Sequence, residues 1–146
     1  MKSKFYACTI ILFSILLSAC ESVSFKEDEK VGIQFKRDHF QEAYVLAARE
    51  NKIIFLDFYA EWCGFCKKMK QYTFSDKYVG EYFNERFINY SIDAEKGEGP
   101  ALAAKYGITG FPAYVFLDAT GKVIAQQSGF MEAPEFITLA SGLKKK

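Results

Sequence analysis

Ile53-Ile54-Phe55-Leu56-Asp57-Phe58-Tyr59-Ala60-Glu61-Trp62-Cys63-Gly64-Phe65-Cys66 is the stretch that decides how this 146-residue chain folds. Residues 53–59 form a continuous apolar run broken by one acid. A run that is apolar on both faces marks a central strand in a sheet covered by helices. The two cysteines follow directly, three positions apart, at the junction of that strand and a predicted helix. Thiols at this spacing can close to a disulfide within one helical turn and reopen by exchange.

Outward from this stretch, the alternation of 31–35 predicts a short first strand. A helix is expected from Asp38, with Gln41 at the capping-box position, to about Asn51. Cys63 opens a helix through about Tyr72. A second helical piece, near Asp76 to Asn84, carries Tyr78, Val79, Tyr82 and Phe83 on one side. Phe87 to Ile92 reads as a strand. Pro100 suits the first turn of a helix that runs to Tyr106 and is capped by Gly107. Ala113 to Leu117 is another apolar strand, and Asp118-Ala119-Thr120-Gly121 turns it into Val123 to Gln127. Pro134 starts a last helix to about Leu143. The expected order is β-α-β-α-β-α-β-β-α. The early strands alternate with helices and so are expected to pair in parallel through crossovers, whereas the late hairpin is antiparallel. The fold class is therefore α/β, one mixed sheet with helices on both faces.

Half of the chain is hydrophobic and 17% is aromatic, enough for one well-filled core. The formal charge of +1 offers no basic face, and no basic stretch interleaves with aromatics, so nucleic acid is not an expected partner. Residues 1–19 read as an export signal: a basic start with Lys2 and Lys4, an apolar stretch from Phe5 to Leu17, then small residues. Leu17-Ser18-Ala19-Cys20 resembles the lipobox of bacterial lipoproteins. That resemblance implies cleavage before Cys20, a lipid on its sulfur and acylation of the new amine. Residues 20–31 then form a lipidated, flexible tether and 32–146 the folded domain. Cleavage removes Lys2 and Lys4 and no acid, taking the net charge from +1 to −1. Cys8 leaves with the signal and Cys20 is capped, so Cys63 and Cys66 are the thiols left in the mature chain. Export also places them where disulfides form and persist.

Asp57-Phe58-Tyr59-Ala60-Glu61-Trp62-Cys63-Gly64-Phe65-Cys66-Lys67 resembles the active-site segment of the thioredoxin family, and Gly110-Phe111-Pro112 stands where that family carries its cis-proline loop. Tyr72-Thr73-Phe74-Ser75-Asp76 with Val79, and Gly129-Phe130-Met131-Glu132-Ala133 with Phe136, are similar to the C-terminal periplasmic domain of the DsbD reductases. The resemblance implies a thioredoxin fold and thiol:disulfide exchange without a cofactor. It also implies disulfide-containing exported proteins as partners and a thiol electron donor. Two positions depart from ordinary thioredoxin: Phe65 replaces the proline between the cysteines, and Asn89 stands where a lysine often accompanies the buried acid.

The residues themselves give the site its chemistry. Cys63, at a helix N-terminus, has its thiolate favoured by unpaired N–H groups and the helix dipole, below the ordinary thiol pKa of about 8.5. It is the expected exposed nucleophile, and Cys66, a turn deeper, the resolving thiol. Burial of Asp57 raises its pKa by disfavouring the carboxylate. The resemblance implies that Asp57 exchanges a proton with Cys66, that the Phe111–Pro112 bond is cis, and that Trp62, Phe111 and Pro112 form a docking surface for extended substrate chains. A reading from another class is a lipoprotein that uses Cys63 and Cys66 to hold copper for delivery. The pair supplies two soft ligands, a closed zinc site needs four, and His39, the one histidine, lies on another helix. No resident metal is therefore expected.

Overall fold

The computed structural model describes residues 31–37 and 39–143. The elements are α1 (Gln41–Glu50), β1 (Ile53–Tyr59), α2 (Gly64–Lys68), a π-helical turn (Met69–Thr73), α3 (Lys77–Arg86), β2 (Phe87–Asp93), α4 (Gly99–Lys105), β3 (Ala113–Leu117), β4 (Val123–Ser128) and α5 (Ala133–Ser141). The sheet runs in the order β2-β1-β3-β4. β1 pairs with β2 in parallel and with β3 in antiparallel fashion, and β4 completes the antiparallel hairpin. This is the mixed sheet the sequence predicts, in a thioredoxin fold.

The apolar run forms β1 and lies at the middle of the sheet, with Ile53 to Phe58 buried. Alternate side chains feed two cores. On one face Ile54, Leu56 and Phe58 meet Ala43 and Ala47 of α1 and Tyr106 at the end of α4. On the other, Phe55 sits among Met69, Val79, Phe83, Tyr114, Phe116 and Phe136. There Phe83 stacks on Phe136 with ring centroids 4.7 Å apart, and Phe55 meets Phe83 edge-on at 5.0 Å. Aromatic pairs of this kind add about 0.5–1.5 kcal/mol each beyond the area they bury.

Local signals set the element boundaries. Asp76 caps α3 by accepting the backbone N–H groups of Tyr78 (2.9 Å) and Val79 (3.0 Å). Asp118 closes the β3–β4 turn by accepting from the backbone of Thr120 and Lys122, and Gly121 takes the left-handed φ of +87° that the turn needs. Pro100 lies in the first turn of α4, and Gly107 follows that helix at φ +65°.

Four expectations are corrected. The stretch 31–35 is not a strand. Gly32 has φ +88°, Ile33 N–H bonds the Phe74 carbonyl (2.8 Å), and Gln34 N–H bonds Asn84 Oδ1 (2.8 Å). These donors are spent on the start and end of the α3 region, and among the described residues the segment's backbone pairing with the sheet is one bridge between Lys36 and Tyr90. The segment is a strap laid across α3. Gly80 makes room for it, since a Cβ there would lie 2.5 Å from Gly32. The start of α1 is also different: Phe40 holds the N-cap position with no side-chain cap, and Asp38 lies outside the described residues. The helix that begins after Cys63 widens into the π-turn, in which Phe74 N–H bonds the Met69 carbonyl five residues back (2.8 Å). Tyr78 is 75% exposed, because the buried stripe of α3 runs through Val79, Gly80 and Phe83. Cys8, Cys20, the expected export signal and the expected tether up to residue 30 lie outside the described residues.

Candidate active site

Cys63 occupies the N-cap of α2, and Cys66 lies in its first turn. Their sulfurs are joined in a disulfide (S–S 2.09 Å), and Cys66 N–H points at Cys63 Sγ (3.0 Å). The helix therefore offers Cys63 a backbone donor as well as its positive end, which is the arrangement that favours a thiolate when the pair is reduced. Both cysteines are shielded: Cys63 is 4% exposed and Cys66 is 8%. The expected contrast between an exposed and a deeper thiol is absent in this oxidised state. Ala60, Tyr59 and Phe111 pack around the pair and cover Cys63 as fully as Cys66.

Asp57 sits in β1, opposite Ser91 of β2 and Tyr114 of β3. It is 5% exposed, and Ser91 Oγ donates to its Oδ2 at 3.2 Å. Burial pushes its pKa up to about 7, while the Ser91 hydrogen bond and, more weakly, the charges of Arg37 and Lys70 pull it down. The acid opens onto a cavity of about 290 Å³ whose walls include Cys66, Ser91, Arg37 and Lys70. Tyr114 has its pKa pushed up by burial and by the nearby Asp57 charge, so its phenol stays protonated. Asn89 directs its amide at Asn84 Oδ1 (3.3 Å) and brings no cation to the acid.

The Phe111–Pro112 bond is cis. Phe111 is half-buried against the cysteine cluster, and the rings of Trp62 and Phe111 meet edge-on at 6.1 Å. Trp62 is 68% exposed, and its indole N–H bonds Glu95 Oε1 (3.0 Å) in the loop after β2. In the same loop Lys96 bonds Glu61 Oε1 (2.6 Å), so both residues before Cys63 are braced from one side. The structure thus gathers Cys63, Cys66, Asp57, Trp62, Phe111 and Pro112 at one end of the sheet, with Cys20 outside the described residues.

Sequence reasoning did not find Ser91, Arg37, Lys70 or Glu95. Ser91 was findable, since the parallel register places it beside Asp57. The others are brought in by the strap, the π-turn and a loop, which carry no spacing signal. Among the described residues no group of three or more His, Cys, Asp or Glu side chains gathers at one point, and none of the helices is long and apolar enough to cross a membrane. His39 is exposed and pairs with Glu98 Oε1 (3.1 Å).

Comparison with known proteins places these features in context. The model of the thioredoxin-like domain family matches residues 40–142. The thiol:disulfide interchange protein DsbD of Yersinia pestis (strain Pestoides F) is 36% identical over 96 residues, which cover 64% of this chain and 16% of that protein. The chain thus spans about a sixth of the length of the curated relatives it matches. The solution structure of a candidate disulphide-isomerase from Bacteroides thetaiotaomicron superposes with TM-score 0.69 at 37% identity, covering 77% of this chain and 93% of the other. The oxidised C-terminal domain of DsbD from Neisseria meningitidis superposes with TM-score 0.62 at 29% identity, covering 76% of this chain and all of that domain.

Proposed function

The chain belongs to the thioredoxin-like family, and from that premise we propose that it is a thiol:disulfide oxidoreductase that reduces disulfides of exported proteins while held at the bacterial membrane by a lipid on Cys20. On this reading residues 1–19 are removed on export, 20–31 form the lipidated tether and 32–146 are the working domain, facing the periplasm or the outer side of the membrane. A tether of this kind raises the effective concentration of partners in a thin layer without new contacts.

The observation that carries the reading is the cysteine pair at the N-cap of α2, with its second sulfur on the cavity that holds Asp57. In the reduced protein the Cys63 thiolate attacks one sulfur of a partner's disulfide. A mixed disulfide forms, and the partner's other sulfur leaves as a thiolate that takes a proton from water. Cys66 then loses its proton to the Asp57 carboxylate and attacks Cys63 Sγ. The partner's second sulfur is expelled as a thiolate and protonated, and Cys63 and Cys66 are left as a disulfide. Two electrons have passed to the partner, and a dithiol donor must return them before the next turnover. Trp62, Phe111 and Pro112 are the surface on which the partner's chain docks.

Direction is an equilibrium property, tested by the reduction potential of the Cys63–Cys66 couple against a glutathione or dithiothreitol redox series. A reductase is expected near the thioredoxin value of about −270 mV. A value near about −120 mV, typical of a strong thiol oxidant, would overturn the reducing direction.

A further inference from the structure

The strap that replaces the expected first strand ends at the active site. Lys36 is pinned to β2 by two backbone bonds, its N–H to the Asn89 carbonyl (2.9 Å) and its carbonyl from Ser91 N–H (3.2 Å). Ser91 is the residue that bonds Asp57, so the next strap residue, Arg37, is delivered to the wall of the Asp57 cavity. Another wall is supplied by Lys70, the second residue of the π-turn. Arg37, Lys70 and the α2 residue Lys67 therefore share one small cavity with the buried Asp57 carboxyl and Cys66, and of the three cations Arg37 and Lys70 are the ones whose charge acts on Asp57.

We propose that Arg37 and Lys70 are positioning residues for the proton step at Cys66: from the strap and the π-turn they place a cationic wall on the cavity shared by Asp57 and Cys66, which favours the carboxylate form of Asp57 that takes the proton of the Cys66 thiol. The proposal rests on the exchange reading above. The groups facing Asp57 are the Ser91 hydroxyl from β2, the Tyr114 phenol from β3, Tyr59 from its own strand, Cys66 and Lys67 from α2, Lys70 from the π-turn, Arg37 from the strap and Glu61 from the loop after β1. Ser91 donates to the carboxyl without bringing a charge. Glu61 is paired with Lys96, and Tyr114 stays protonated. Arg37 and Lys70 are the charges that draw the Asp57 pKa down against the desolvation that raises it. Without them a smaller fraction of this buried carboxyl would be ionised at neutral pH and free to take another proton.

The test is a carbon-detected NMR titration of the Asp57 carboxyl in the oxidised full-length domain, together with the pH profile of single-turnover exchange. The variants are Arg37→Gln, Lys70→Gln and the double, with Arg37→Lys as the conservative rescue. Lys122→Gln, in the β3–β4 turn, controls for net charge. Each single variant is expected to move the Asp57 midpoint upward by about half a unit and the double by about one. The acid limb of the exchange profile should move with it, and Arg37→Lys should restore the unaltered values. An Asp57 midpoint that stays put in the double variant, or moves no more than in Lys122→Gln, would overturn the proposal. So would a shifted midpoint with an unmoved exchange profile. Failure of the unaltered protein to exchange disulfides at all would instead strike the proposed function, and the Asp57 titration would still decide whether the cationic wall acts.

Discussion

Ser91 Oγ reaches across the parallel β1–β2 pair and donates a 3.2 Å hydrogen bond to Asp57 Oδ2. Among the described residues it is the side-chain donor to a carboxyl that burial otherwise drives toward its neutral form. Replacing it with Ser91→Ala removes a bond that favours the carboxylate. The Asp57 midpoint should rise by about one unit, from the roughly 1.5 kcal/mol that such a charge-assisted bond contributes. NMR titration of the carboxyl checks this, and a fall in the midpoint would count against the assigned hydrogen bond.

Asp57 also sets the pH dependence of stability. Its pKa in the folded, oxidised protein is about 7, against 3.8 for a free side chain. Between these values the folded state keeps a proton that the unfolded chain has lost. Stability therefore falls as pH rises from about 4 to about 7 and levels off above, by roughly 4 kcal/mol at most. Asp57→Asn should flatten this dependence and make the oxidised domain more stable at pH 8 than the unaltered one. Urea unfolding at pH 5 and pH 8 measures both effects.

The Trp62 indole is exposed, edge-on to Phe111 and held by Glu95. A group that offers apolar area to a protein partner, without touching the sulfur chemistry, acts through binding. Trp62→Ala should raise KM for a folded disulfide substrate several-fold. The rate of reduction of Cys63–Cys66 by a small dithiol should stay within about two-fold of the unaltered protein. Steady-state kinetics with both substrates separates the two.

Gly80 touches the backbone of Gly32 so closely that a Cβ would sit 2.5 Å away, and both partners are main chain. Gly80→Ala must lift the strap off α3 and strain the bonds that Asn84 makes to Gln34 N–H and the Gly32 carbonyl. The expected loss is about 2 kcal/mol, as for other overpacked sites. A shift of the urea midpoint measures it.

Much of this architecture is legible in the sequence, for physical reasons that can be named. The run 53–59 could only be a strand buried on both faces, and the Asp76 cap and the Asp118–Gly121 turn carry their own hydrogen-bonding chemistry. The two stretches that resemble the DsbD domain prove to touch: Thr73 Oγ1 donates to the Met131 carbonyl (2.6 Å), and Phe74 packs on Phe136. The strap is not legible because alternation in 31–35 suggests a strand, whereas Gly32 at positive φ and the side chain of Asn84 take its backbone elsewhere. The π-turn has no sequence signature. Arg37 and Lys70 reach Asp57 through those two features, so their place in the cavity could not be read from spacing.

In the proposed exchange Cys63 attacks and Cys66 resolves. Incubating the reduced Cys66→Ser and Cys63→Ser variants with insulin, and weighing the products by intact-mass spectrometry, tests it most directly. Cys66→Ser should accumulate a stable mixed disulfide through Cys63, which a thiol reductant releases, while Cys63→Ser should form little. No adduct on Cys66→Ser, or equal adducts on both variants, would overturn these roles for the two cysteines.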